Sequence, residues 1–273
     1  MPELPEVEVL RRSLEPHVVG TVIAAVKVLN PDLREPVDRR RLGNCRGREI
    51  LEARRRAKYL LLDLSGGQTL VVHLGMSGRL TLGPAAAPTE LHEHVSIFLS
   101  SELRLRFRDT RRFGLVLVRP TRNLAADPHF SHLGMEPLND SFDGRALQGL
   151  AQGRTAPVKS FLMDGRLVVG VGNIYASEAL HRAGIHPARS VARISGGRWD
   201  QLAREIRMTL AEAIDQGGTT LNDFADAMGE TGYFKASLAV YDREDKPCQR
   251  CQRTIRRIVQ SGRSTFYCPG CQH

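Results

Sequence analysis

The chain has 273 residues, enough for two domains that each bury a core. Its 39 Lys+Arg outnumber 30 Asp+Glu, a formal +9 with an isoelectric point near 9.7, which points to a polyanionic partner. No stretch reads as a signal peptide or as an apolar span of about 20 residues, so a cytoplasmic protein without a membrane role is expected, and aromatics at only 5% argue against single-strand binding by serial base stacking and favour a duplex.

Met1-Pro2-Glu3 opens the chain. A proline in second place lets the initiator methionine be removed, leaving a secondary amine on Pro2 beside the Glu3 carboxyl. An α-amino group titrates at about 7.7–8.0 against about 10.4 for lysine, so roughly a tenth is free base at pH 7. Such an amine attacking an aldehyde-level carbon gives an iminium, which is an electron sink. Taken alone, Met-Pro is also simply a common way for a protein to begin. A helix is expected from Pro5, with Val7, Leu10 and Leu14 on its apolar face and Glu6 and Glu8 suited to its N-terminal end.

Strand-type segments follow over 59–64, 69–74, 95–99, 103–108 and 115–118, with Gly66-Gly67 as a hairpin signal. The run 103–108 alternates strictly, so one face is apolar and the other is all arginine. A β-sandwich carrying the N-terminal helix fits this half. Ahead of the first of these strands stands Arg54-Arg55-Arg56-Ala57-Lys58, readable as a solvated basic edge or as a ligand-facing one. The loops around Met76 and around Arg111 and Phe113 hold apolar and aromatic tips. Such tips can be ordinary packing, or a wedge for a base stack.

A polar stretch at 139–153 is expected to join the halves. From Ala156 the pattern turns helical, with helices predicted over 158–163, 174–183, 199–214 and 221–228. Gly170-Val171-Gly172-Asn173 precedes the second, where backbone N–H groups can meet an anion. A glycine-containing loop at 229–232 and a strand-like run at 238–241 come next. Cys248, Cys251, Cys268 and Cys271 then have the spacing of a zinc ribbon, with a turn expected at 260–263. Four thiolates leave no open coordination position, so one structural Zn2+ and no organic cofactor are expected; two disulfides are the lesser alternative. Cys45 stands apart, as a small buried or semi-buried side chain.

Taken in order, MPELPEVE, RRAKYLLLDL, HLGMSGRL, RRFG, VVGVGNIYASEAL with AGIHP, QGGTTLNDF and the terminal cysteine module resemble the bacterial formamidopyrimidine-DNA glycosylase family over almost the whole chain. The resemblance implies an α+β protein of two domains: an N-terminal catalytic β-sandwich (1–135), a linker (136–155), and a helix-two-turn-helix region (156–235) with a zinc finger (236–273). It implies a monomer that removes oxidised purines from damaged double-stranded DNA and then cuts the strand. Pro2 is then the nucleophile, Glu3 the acid, Lys58 the helper of β-elimination, and Arg263 the phosphate-binding residue of δ-elimination. His92, Arg111, Arg154, Lys159 and Asn173 fall to DNA contact, and Met76, Arg111 and Phe113 to filling the vacated stack, while 217–234 would close over the flipped base. Thr110 and Lys235 depart from the usual pattern and leave the fine lesion preference open. The competing readings are an endonuclease VIII type enzyme for oxidised pyrimidines and a non-catalytic zinc-ribbon DNA-binding protein; the latter leaves Pro2, Glu3 and Lys58 without a role.

Overall fold

The structure, a computed structural model, describes residues 2–219, 227 and 234–273, without the Lys235 side chain. Met1, the helix expected over 221–228 apart from position 227, the loop at 229–232 and most of the expected closing segment lie outside the described residues. The chain divides into two compact units, 1–131 with 217–233, and 132–216 with 234–273.

The first unit begins with α1 (Leu4–Val18), which has Pro5 in its first turn and buries Leu4, Val7, Leu10, Leu14 and Val18. Full burial of each such leucine or valine contributes about 1.5–3 kcal/mol. Two antiparallel four-stranded sheets follow. One has the order β1-β6-β7-β5, with β1 Ile23–Val28, β5 Arg79–Pro84, β6 Glu93–Leu99 and β7 Leu103–Arg108; the other is β2-β3-β4-β8, with β2 Ile50–Arg56, β3 Tyr59–Leu64, β4 Gln68–His73 and β8 Leu115–Pro120. Leu62, Leu70, Val72 and Val116 of one sheet and Leu80, Val95, Ile97, Leu105 and Phe107 of the other share one core. This is the expected β-sandwich. A short α2 (Arg39–Gly43) is capped by Asp38, whose side chain accepts from the Arg41 N–H.

The arginine face of β7 is not open to solvent. Arg104 and Arg106 are buried, because 84–90 folds over them: Arg104 donates to the carbonyls of Ala87 (2.8 Å) and Pro88 (3.2 Å), and Arg106 to Glu90 (2.7 Å).

In the second unit, α3 (Gly144–Ala151) and α5 (Asn173–Arg182) pack on the long α6 (Gly196–Asp215), and α4 (Val158–Leu162) brings Phe161 against Trp199 at 5.7 Å between ring centroids. The stretch 136–155, expected as a linker, contains α3, capped by the Asp143 side chain, with Leu147 fully buried. Gly184, at φ +66°, ends α5 as the sequence suggests. The hairpin of β9 (Arg256–Gln260) and β10 (Arg263–Tyr267) closes the chain. The strand-like run 238–241 is not a strand. Its amides go to a side chain instead: the buried Glu178 carboxylate accepts from the N–H groups of Ala239 (2.9 Å), Val240 (3.0 Å) and Tyr241 (2.8 Å).

Candidate active site and nucleic-acid interface

Pro2 is half-buried and Glu3 buried, directly ahead of α1. The Glu3 N–H donates to Glu6 Oε2 at 2.7 Å, and Glu6 Oε1 accepts from the Thr219 N–H at 2.9 Å. One buried carboxylate therefore fixes the backbone of the first residues and ties it to Thr219. Glu6 is a site residue that the sequence reading used only for its charge at a helix start. Its spacing, three after Glu3, is the capping-box signal that marks the role.

Lys58 lies in the two-residue loop between β2 and β3, where Arg56 pairs with Tyr59 and Ala57 takes φ +52°. A positive φ at the first loop position matches the twist of a tight hairpin. The Arg55 guanidinium donates to the Ala57 carbonyl (2.9 Å) and to Glu8 (3.3 Å), which anchors the turn to α1. At the start of the next loop, His73 Nδ1 accepts from the Gly75 N–H at 3.0 Å. Burial, then the nearby charges of Lys58, Arg34 and His129, push its imidazole down to about 4, so the ring stays neutral.

Met76 and Phe113 are exposed at 40% and 45%, unusual for such side chains and fit for insertion elsewhere. The Arg111 guanidinium lies over the Phe113 ring, 5.0 Å from its centroid. His92 takes φ +63°, and its carbonyl accepts from the Asp109 N–H at 3.1 Å. Those residues belong to the first unit.

In the second unit, Lys159 is buried rather than displayed. Its ammonium donates to Asn173 Oδ1 (2.6 Å) and Thr265 Oγ1 (2.7 Å), while Asn173 Nδ2 donates to the Ser264 carbonyl (3.0 Å). The head of α5 is thereby fixed to β10. Arg263, exposed at the start of β10, lines a cleft of about 210 Å³ with Lys159, Ser160, Asp164, Gln260 and Ser261. Arg154 is exposed just after α3, its Nε donating to the Leu150 carbonyl at 2.9 Å.

The four cysteine sulfurs lie within 4.8 Å of one another, Cys251 and Cys268 at 3.3 Å and Cys248 and Cys271 at 3.8 Å. Tetrahedral zinc with Zn–S bonds of about 2.3 Å separates its sulfurs by about 3.8 Å. The donor set therefore fits one ion in a closed, structural site. His181 of α5 brings Nε2 to 3.6 Å from Cys248 Sγ, an outer contact that the spacing of cysteines does not reveal. Cys45 is buried in the first unit, and burial pushes its thiol up to about 11.

Family profiles for the formamidopyrimidine-DNA glycosylase N-terminal domain, its H2TH domain and the zinc finger found in FPG and IleRS match residues 1–116, 133–225 and 245–273. The chain belongs to the formamidopyrimidine-DNA glycosylase family. It is 48% identical to the formamidopyrimidine-DNA glycosylases of Methylococcus capsulatus and Cupriavidus pinatubonensis, with all of each chain covered. Among solved structures, a variant of the Lactococcus lactis enzyme in complex with DNA containing Fapy-dG is similar with a TM-score of 0.92 at 31% identity over 100% of both chains. The MutM (Fpg) protein of Thermus thermophilus is similar with a TM-score of 0.88 at 39% identity, covering 99% of this chain and 98% of that one. As a member of the formamidopyrimidine-DNA glycosylase family this chain is an enzyme, a DNA glycosylase with abasic-site lyase activity. No helix among the described residues is long and apolar enough to cross a membrane.

Proposed function

We propose that this glycosylase excises oxidised purines from damaged duplex DNA through a Schiff base on Pro2, acting as a monomer in the bacterial cytoplasm. A glycosidic bond inside a duplex is out of reach, so the nucleotide is flipped out at a cost of about a few kcal/mol, and Met76, Arg111 and Phe113 fill the space it leaves. The Pro2 amine attacks C1′ and the damaged base departs. Glu3, acting as the acid, protonates the sugar ring oxygen as the ring opens, leaving an iminium between Pro2 and C1′. The iminium makes the C2′ proton acidic. Its removal, assisted by Lys58, expels the 3′ phosphate, and a second elimination served by Arg263 expels the 5′ phosphate. Hydrolysis of the iminium returns the free amine and releases the sugar remnant as an unsaturated aldehyde, leaving a one-nucleotide gap with phosphates at both ends. His92, Arg154, Lys159 and Asn173 hold the DNA backbone, with Lys159 acting partly through Asn173. The zinc ion supplies no chemistry beyond keeping the hairpin that carries Arg263 in shape.

The observation that carries this reading is the buried Glu3 next to Pro2 in sequence, whose backbone N–H is fixed by the Glu6 carboxylate at 2.7 Å. The purine preference draws on the Lactococcus lactis relatives described in complex with DNA containing Fapy-dG. One such relative is described with DNA containing an oxidized pyrimidine, which favours a second, pyrimidine-directed activity at the same site. Borohydride reduction during reaction with a duplex containing 8-oxoguanine tests the core of the proposal. The adduct should map to residue 2 of a chain whose intact mass lacks Met1, and an adduct on Lys58 would refute it.

A further inference from the structure

Met76 and the Arg111–Phe113 pair come from separate loops, one running from β4 to β5 and the other from β7 to β8. Both loops hang on one buried side chain, Asp109, which is 1% exposed. Its Oδ1 accepts from Ser77 Oγ at 2.6 Å and from the Arg111 N–H at 3.2 Å, and its Oδ2 accepts from the Gly114 N–H at 2.7 Å. Ser77 Oγ in turn accepts from the Arg111 N–H at 3.1 Å. The Asp109 backbone is pinned too, its carbonyl 2.9 Å from His94 Nε2. The loops also touch directly: a Cβ on Gly75 would sit 2.5 Å from the Phe113 carbonyl carbon, closer than side-chain carbons approach.

We propose that the Asp109 carboxylate and the Ser77 hydroxyl form a clamp that makes the two loops one rigid wedge, so that Ser77 and Asp109 are positioning residues for reading the base opposite the lesion. The inference rests on the wedge role given above to Met76, Arg111 and Phe113. The physical need is plain. Met76 and Phe113 are exposed, and a guanidinium can discriminate two bases only if its backbone is held to a fraction of an ångström. Ser77 supplies both halves of that hold, donating to Asp109 and accepting from the Arg111 amide.

The test uses the full-length zinc-loaded enzyme with 8-oxoguanine placed opposite cytosine or adenine in otherwise identical duplexes. Ser77→Ala should lower the cytosine-to-adenine ratio of single-turnover excision rates by roughly tenfold, while Ser77→Thr, which restores the hydroxyl, should recover it. The loss should appear in the rate rather than in duplex affinity. β-Elimination on an abasic single strand, which has no opposite base, should be unchanged. Asp109→Asn places an amide N–H₂ against either the Ser77 or the Gly114 side and should lower the ratio as well. Because Ser77 acts through the wedge, adding Ser77→Ala to Met76→Ala should change the ratio less than Ser77→Ala does alone. A Ser77→Ala enzyme that keeps the wild-type ratio, or additive effects in the double variant, would overturn the clamp and leave the function proposal standing. A wild type with no preference for cytosine would overturn the wedge role itself and the clamp with it.

Discussion

Arg111 rests its guanidinium on the ring of Phe113, two residues away, with the two groups 5.0 Å apart. A cation held over an aromatic face keeps an otherwise solvated side chain close to its working position. A guanidinium is a donor-only fork. Cytosine offers it two neighbouring acceptors, N3 and O2, whereas adenine sets a donor beside its single N1 acceptor. Arg111→Ala should therefore shrink the preference for lesions opposite cytosine toward one, a loss of about 1–3 kcal/mol. Single-turnover excision on both pairs measures it, and an unchanged ratio would move the opposite-base reading to Phe113.

Glu3→Gln should abolish base excision and leave cleavage at a pre-formed abasic site largely active, because an existing aldehyde needs less help from an acid. The two rates are measured on lesion and abasic duplexes of the same sequence. Equal losses would mean that Glu3 positions DNA rather than moving a proton.

Cys248→Ser should release about one zinc per chain and weaken duplex binding, since a closed four-thiolate site holds its hairpin in shape. Arg263→Ala should keep the zinc and lower affinity, flattening the salt dependence by about one phosphate contact. Metal analysis and binding isotherms over a salt series separate the two. Full affinity in a metal-free Cys248→Ser protein would refute the structural role of the site.

His73 gives the fold a sensitivity to acid. Its imidazole titrates near 6.5 when unfolded and is pushed down to about 4 in the native state by burial and by Lys58, Arg34 and His129. Between those values the unfolded chain holds a proton that the folded chain does not. Stability is therefore lost as pH falls from about 6.5 and levels off below about 4, by up to about 3 kcal/mol. His73→Asn keeps an acceptor for the Gly75 amide and removes the titration. Urea unfolding at several pH values should show a shallower acid slope for the variant, and parallel slopes would exclude His73 as the cause.

The sandwich was legible because β3, β4, β6, β7 and β8 carry unbroken apolar runs or strict alternation. β2 was not, since its Arg54 and Arg55 read as a loose basic edge; each is in fact paired, Arg54 with Asp63 across the hairpin and Arg55 with Glu8 on α1. β5 was hidden because it ends in Gly-Pro, which reads as a turn. At 238–241 the composition is right for a strand, yet among the described residues no strand pairs with it, and Glu178 takes the amides instead. A partner far away in sequence decides such cases. The same holds in the site: the four cysteines announce themselves by spacing, whereas Glu6, Asp109 and His181 matter only through what folding brings to them. Lys159 carries more than its motif shows, since its ammonium also donates to Asn173 and Thr265.

The family profiles divide the C-terminal half into a helical module ending at 225 and a zinc module starting at 245, as though the two could be exchanged separately. Glu178 contradicts that modularity. It sits in the helical module, 1% exposed, and spends its carboxylate on the amides of 239–241, the lead-in to the zinc hairpin. A chain cut before 239 would leave the buried Glu178 carboxyl without those three donors, and a zinc finger grafted elsewhere would arrive with three amides lacking that acceptor. Recombination between relatives therefore has to inherit α5 and the zinc module as a single piece.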